Sequence, residues 1–123
     1  MVEAHEAVLG WEQGSPGRAR KLLEAWFGSS LGPTQLDTAK LLVSELVTNA
    51  LVHGEGEITF RSGLDDDELF VEVIDEGAGF EVPVARRRLG GSGGWGLQLV
   101  ASEASRWGVV GGTTHVWFAL ERT

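Results

Sequence analysis

The sequence predicts a two-layer α/β (α+β) sandwich, with a mixed, largely antiparallel sheet and helices packed on one face. Three observations predict it. Apolar residues recur at helical spacing from Leu36 through Ala39, Val43, Leu46, Val47 and Ala50 to Leu51. Segments of strand length follow, around Ile58 and Phe60, from Leu69 to Ile74 and from Val116 to Leu120, bounded by turn residues. The chain has 123 residues, enough for one core and too few for two comfortable ones, so residues 1–123 read as a single domain.

Each element follows from local signals. Residues 5–11 read as a first strand, on a weak pattern. Ser15-Pro16 reads as an N-cap with proline at the first helical position. That helix runs through Arg20, Leu22, Leu23, Trp26 and Phe27 to a stop at Gly28. Gly32-Pro33 reads as a turn, and Thr34 with Asp37 as a capping box with aspartate in place of glutamate. The second helix ends at His53-Gly54. Asp65-Asp66-Asp67 reads as a solvated hairpin tip rather than a calcium site, and the almost wholly apolar strand after it as a central one.

After Asp75 the chain is glycine-rich and aperiodic until Gly96. A third helix carries Leu97, Val100, Ala101 and Ala104 on one face. Trp107, Val109 and Val110 suggest a strand, Gly111-Gly112 a hairpin turn, and Val116, Phe118 and Leu120 the last strand.

Composition narrows the function. There is no cysteine, which excludes disulfides, thiolate metal sites and cysteine nucleophiles. The formal net charge is -8, from 18 acidic and 10 basic side chains, which suits duplex DNA poorly. The one basic cluster, Arg86-Arg87-Arg88, fits the phosphates of a small ligand or a protein partner better than a nucleic acid. Met1 to Ala7 carries two glutamates and no basic region, and no apolar run approaches the ~20 residues of a membrane helix. The expectation is a cytoplasmic protein with no membrane partner.

Three constellations carry chemistry. Glu45, Asn49 and His53 recur every four residues on the second helix, to one side of its apolar stripe. An amide oxygen such as that of Asn49 suits Mg²⁺, and a carboxylate such as Glu45 can accept a proton from a hydroxyl; the same residues also make an ordinary solvated helix face. Asp75-Glu76-Gly77-Ala78-Gly79 directly follows an apolar strand. Its carboxylate can accept a hydrogen bond from an exocyclic amine, and its glycines let the backbone approach a flat ring, although many plain turns share this pattern. Gly94-Trp95-Gly96-Leu97 opens the third helix, where free N–H groups can hold an anion. No Walker loop and no strand-linked G-x-G-x-x-G accompanies it.

Taken together and in this order, the three resemble a known set. Glu45-Leu46-Val47-Thr48-Asn49-Ala50-Leu51-Val52-His53-Gly54 is similar to the N box of the GHKL (Bergerat-fold) ATPases, Asp75 to Phe80 to their G1 box, and Gly94 to Leu97 to their G2 box. The resemblance extends from about Pro16 to Leu120, and the form of the N box resembles that of the small anti-sigma-factor serine/threonine kinases. It implies ATP and Mg²⁺ as cofactors, with Asn49 on the metal and Asp75 on the adenine amino group. It implies that Gly77 and Gly79 shape the adenine pocket and that Gly94, Trp95, Gly96 and Leu97 form the phosphate end. Thr113 or Thr114 would assist at the adenine, and Phe80 to Gly93 would be a lid. Glu45 would activate the serine hydroxyl of an anti-anti-sigma partner, a sigma factor would be the second partner, and the protein would form a homodimer. A nucleotide-dependent binding switch without phosphotransfer, or a detached histidine-kinase ATPase module, shares the same motifs.

Overall fold

The elements, in a computed structural model that describes residues 3–77, 97–110 and 115–122, follow the expected order. They are β1 (Glu3–Leu9), α1 (Ser15–Phe27), α2 (Pro33–His53), β2 (Ile58–Leu64), β3 (Glu68–Ile74), α3 (Leu97–Glu103), β4 (Arg106–Val109) and β5 (Val116–Glu121). The strands form one sheet in the order β1-β2-β3-β5-β4, and every described pair is antiparallel. The hairpin expected at Gly111-Gly112 lies outside the described residues.

Register decides which side chains the helices cover. Phe60 stands opposite Val73 and Val71 opposite Phe118, so the buried residues of β2, β3 and β5 fall in rows on one face. The helices pack there through Leu23 and Phe27 of α1, Leu42, Leu46 and Val47 of α2, and Val100 of α3. β3 is central, as its apolar run indicates, yet alternate residues are only half-buried because one face alone is covered.

The other face carries Arg61, Phe70, Glu72 and Trp117. Arg61 bridges Glu6 and Glu72, and His115 lies 2.6 Å from Glu72. The rings of Phe70 and Trp117 stack at 5.6 Å. Gly108 makes room for this: a Cβ there would lie 2.9 Å from the Trp117 indole nitrogen.

Three boundaries differ from expectation. The first strand is Glu3–Leu9 rather than 5–11; as an edge strand it buries only Leu9, which leaves little apolar signal. Ser15 is the first residue of α1, not its cap: its hydroxyl donates to the Gly10 carbonyl and ties the β1–α1 loop to the helix. Gly32 rather than Thr34 caps α2, with Pro33 opening the helix and no side-chain cap bond. The β2–β3 tip is as expected. Asp65 Oδ1 accepts the backbone N–H groups of Asp67 and Glu68, which holds its carboxyl below the usual aspartate range.

α1 and α2 are joined at their rims by Arg20 to Ser44 Oγ at 2.7 Å and by Lys40 to Glu24 at 2.7 Å. The second pair is exposed and contributes little. Burial holds the layers together. Phe60 is 0% exposed and lies 5.2 Å from the Trp26 ring, which packs with Phe27 and stacks on His5. Phe60→Ala is expected to cost about 3–5 kcal/mol of unfolding free energy in urea titration. Val52→Ala, on the solvent side of α2, is expected to stay within ~0.5 kcal/mol.

Candidate nucleotide-binding site

The site forms where α2 ends and β3 ends. Helical periodicity turns Asn49 inward among Leu46, Val47 and Ala50, and its side chain is only 5% exposed. Its Oδ1 has no hydrogen-bond partner among the described residues. A buried amide oxygen without a partner costs about 1–3 kcal/mol, so a protein rarely keeps one without use for it. Glu45, one turn earlier, is half-buried, and its carboxylate makes no hydrogen bond or ion pair to any described residue. His53 is exposed at the helix end. The three residues therefore fan from the core to solvent instead of forming one solvated face.

Asp75 follows the last residue of β3 and is 6% exposed. Its Oδ1 accepts the backbone N–H of Gly77 at 2.7 Å and that of Glu55 at 3.2 Å. Its Oδ2 lies against Gly54, where any Cβ would overlap the carboxylate. Gly54 donates its own N–H to Ala50 O at 2.7 Å and closes α2. The glycine after His53 thus does more than stop a helix. Its missing side chain lets the β3 carboxylate reach the α2 terminus.

More bonds fix the same turn. Glu76 N donates to Glu55 O at 2.7 Å, and Glu57 N donates to the Glu76 carboxylate. Trp11 donates its indole N–H to Gly56 O. Gly56 has φ +70°, the left-handed region that glycine adopts without strain. At Gly77 a Cβ would lie 2.9 Å from Asp75 Oδ1 and 3.2 Å from Glu55 N. Neither Trp11 nor Glu55 is marked by any pattern in its own segment, because both act through the backbone of residues 54–57.

Of the residues singled out in the sequence, Asp75 and Gly77 meet at this junction, while Asn49 is buried on α2 about one turn before its last residue and Glu45 lies one turn earlier. Leu97 opens α3 and is 1% exposed, packed in the core. Gly79, Gly94, Trp95, Gly96, Thr113 and Thr114 lie outside the described residues. Among the described residues no group of three or more His, Asp or Glu is placed to hold a metal ion, and no helix is long and apolar enough to cross a membrane. The donor set present, one buried amide oxygen, fits Mg²⁺ held largely by phosphate oxygens and water.

Comparisons with known proteins give the chain its family. The anti-sigma F factor of Clostridium acetobutylicum is 46% identical over 63 residues, covering 46% of this chain and 44% of that protein. The anti-sigma F factor of Thermoanaerobacter sp. is 39% identical over 69 residues, covering 51% and 48%. That of Bacillus subtilis is 39% identical over 62 residues, covering 45% and 42%. The matched stretch spans less than half the length of each relative. A crystal structure of the RsbU and RsbW domains of a Mycobacterium tuberculosis protein superposes with a TM-score of 0.70 over 98% of this chain and 32% of that one, at 20% identity, a likeness of fold. The family model for the histidine kinase-like ATPase domain matches residues 13–120, and the chain belongs to that family.

Proposed function

We propose that the protein is an anti-sigma factor that binds Mg·ATP at the α2–β3 junction and phosphorylates a serine or threonine of an anti-anti-sigma protein. The observation that carries this reading is the buried Asn49 oxygen, without a hydrogen-bond partner among the described residues, on the helix whose C-terminal end meets the pinned Asp75 carboxylate. The similarity to anti-sigma F factors over the stretch they share supports the partners. The same reading takes the protein to be cytoplasmic and homodimeric.

The roles follow from the chemistry of each group. The Asp75 carboxylate, fixed at the end of β3 by the backbone N–H groups of Gly77 and Glu55, accepts the adenine amino group. Gly54 and Gly77 keep side chains away from that carboxylate. Asn49 Oδ1 ligates the metal, which supplies charge neutralisation at the phosphates. Gly79, Gly94, Trp95, Gly96, Leu97 and Thr113 or Thr114 join the site through the motif resemblance. Glu45, half-buried and unpaired among the described residues, takes the proton of the acceptor hydroxyl as its oxygen bonds the γ-phosphorus and ADP leaves.

Three outcomes test these roles. Asp75→Asn keeps an oxygen for the two backbone donors and replaces the other with an N–H₂ facing an amine. ATP affinity is expected to fall by at least ~1.5 kcal/mol in calorimetry, and GTP, with a carbonyl at that position, is expected to bind poorly to the wild type. Equal ATP and GTP affinity would remove Asp75 from base recognition.

Asn49→Ala is expected to weaken nucleotide binding with Mg²⁺ present and to change metal-free binding much less. Equal losses in both titrations would make Asn49 structural.

The third outcome concerns transfer itself, read with labelled ATP, Mg²⁺ and candidate anti-anti-sigma proteins. Glu45→Ala is expected to keep ATP affinity within a few-fold and to slow transfer by about 10²-fold or more. Loss of ATP binding in a folded Glu45→Ala protein would contradict the general-base role. Nucleotide-dependent partner binding by a wild type that transfers no label would identify a binding switch instead.

A further inference from the structure

The solvent side of α2 carries a pattern that nucleotide binding does not use. Leu41 is 45% exposed and Val52 65% exposed, two large apolar side chains on a helix whose other apolar residues face the core or half-cover it. At 3.6 residues per turn, Asp37, Leu41, Glu45, Thr48 and Val52 fall within an arc of about 80°, and Leu41 and Val52 stand about 16 Å apart along the axis. α1 and α3 both pack on α2, yet Asp37, Leu41, Thr48 and Val52 are exposed and Glu45 is half-buried. Glu45 sits at one edge of this stripe, between Leu41 and Val52 along the axis, one turn from Leu41 and two from Val52.

Its charge is one-sided. Asp37 and Glu45 are the ionisable groups of the stripe, and neither makes an ion pair among the described residues. The nearby cation, Lys40, is held by Glu24 at 2.7 Å on the α1 side. A second copy of this chain, packed about a twofold axis on the stripe, would bring four carboxylates together with no cation between them. The charge calls for a partner that is basic where this surface is acidic. The apolar pair calls for one that is apolar on either side of Glu45. A general base must also touch the hydroxyl it deprotonates, so whatever docks across Glu45 carries that hydroxyl.

We propose that the solvent face of α2 is the docking platform for the phosphoacceptor protein, whose reacting serine or threonine meets Glu45 between apolar side chains seated on Leu41 and Val52, with an arginine or lysine opposite Asp37. This rests on the kinase reading above and names the surface by which that site selects its substrate. Acceptor choice then resides in α2 itself: one helix supplies the metal ligand from its buried side and the substrate platform from its exposed side.

The test is steady-state transfer from Mg·ATP to the anti-anti-sigma protein that takes label in the assay above, using the full chain. The Leu41→Glu/Val52→Glu double variant is expected to raise KM for the acceptor at least tenfold, with kcat at saturation and ATP affinity within twofold of wild type. Leu41→Ala/Val52→Ala, which adds no charge, is expected to raise it about threefold. Asp37→Lys is expected to raise it as well, and charge reversal of a basic acceptor residue is expected to rescue that variant alone. An acceptor KM unchanged by both double variants overturns the platform and leaves the kinase standing. A change in sedimentation with no change in acceptor KM shows that a second copy covers the stripe. A loss of ATP affinity shows that the chain's own nucleotide-site segments cover it. Absence of transfer by the wild type to every candidate acceptor overturns the kinase reading and the platform with it.

Discussion

The carboxylate of Asp75 against Gly54 is the contact on which the site depends. It joins the end of a central strand to the end of the longest described helix. Oδ1 draws in the N–H groups of Glu55 and Gly77, so the turns on both sides of the contact share one acceptor. Two bonds with Glu76 and one from Trp11 then fix residues 54–57 from two sides. A methyl group at Gly54 would strike the carboxylate and the Ala50 carbonyl, so the junction tolerates no side chain there.

The two sides of the sheet divide the work. The covered face is apolar apart from Ser62, whose hydroxyl donates to Phe70 O at 3.0 Å. Burial of that face holds α2 in place. The outer face is held by ion pairs and the Phe70–Trp117 stack, which tolerate water. Asn49 and Asp75 are the exceptions, polar groups buried at the rim of the apolar layer. Their burial costs folding energy and leaves them dry and fixed, which is the state that the roles proposed for them, as metal ligand and base-reading carboxylate, require.

Much of this was legible in the sequence, for physical reasons that differ by element. α2 announces itself because it must bury one stripe along 21 residues, and β3 because it lies at the sheet centre. β1 is faint because an edge strand with one buried residue needs no apolar pattern. The caps of α1 and α2 misled because Ser15 spends its hydroxyl on Gly10 rather than on its own helix, and Pro33 can open a helix without a side-chain cap. The order of Glu45, Asn49, Asp75 and Gly77 along the chain pointed to the site. The inward turn of Asn49 did not show, since four-residue spacing drifts around a helix and carries Asn49 further toward the core than Glu45, while His53 is exposed because the helix ends there. Nor did the contact of Gly54 with Asp75, because its partner lies on another element.

The central claim is that the α2–β3 junction, and not the outer sheet face, is where nucleotide binds. A ¹⁵N-resolved NMR titration with Mg·ATP tests it most directly, because the reporting groups are known atoms. The largest shifts are expected at the Asn49 side-chain amide and at the backbone amides of Glu55 and Gly77. Arg61, Phe70 and Trp117 on the outer face are expected to stay unchanged. Shifts centred on the outer face, with Asn49, Glu55 and Gly77 unmoved at saturating Mg·ATP, would contradict the account.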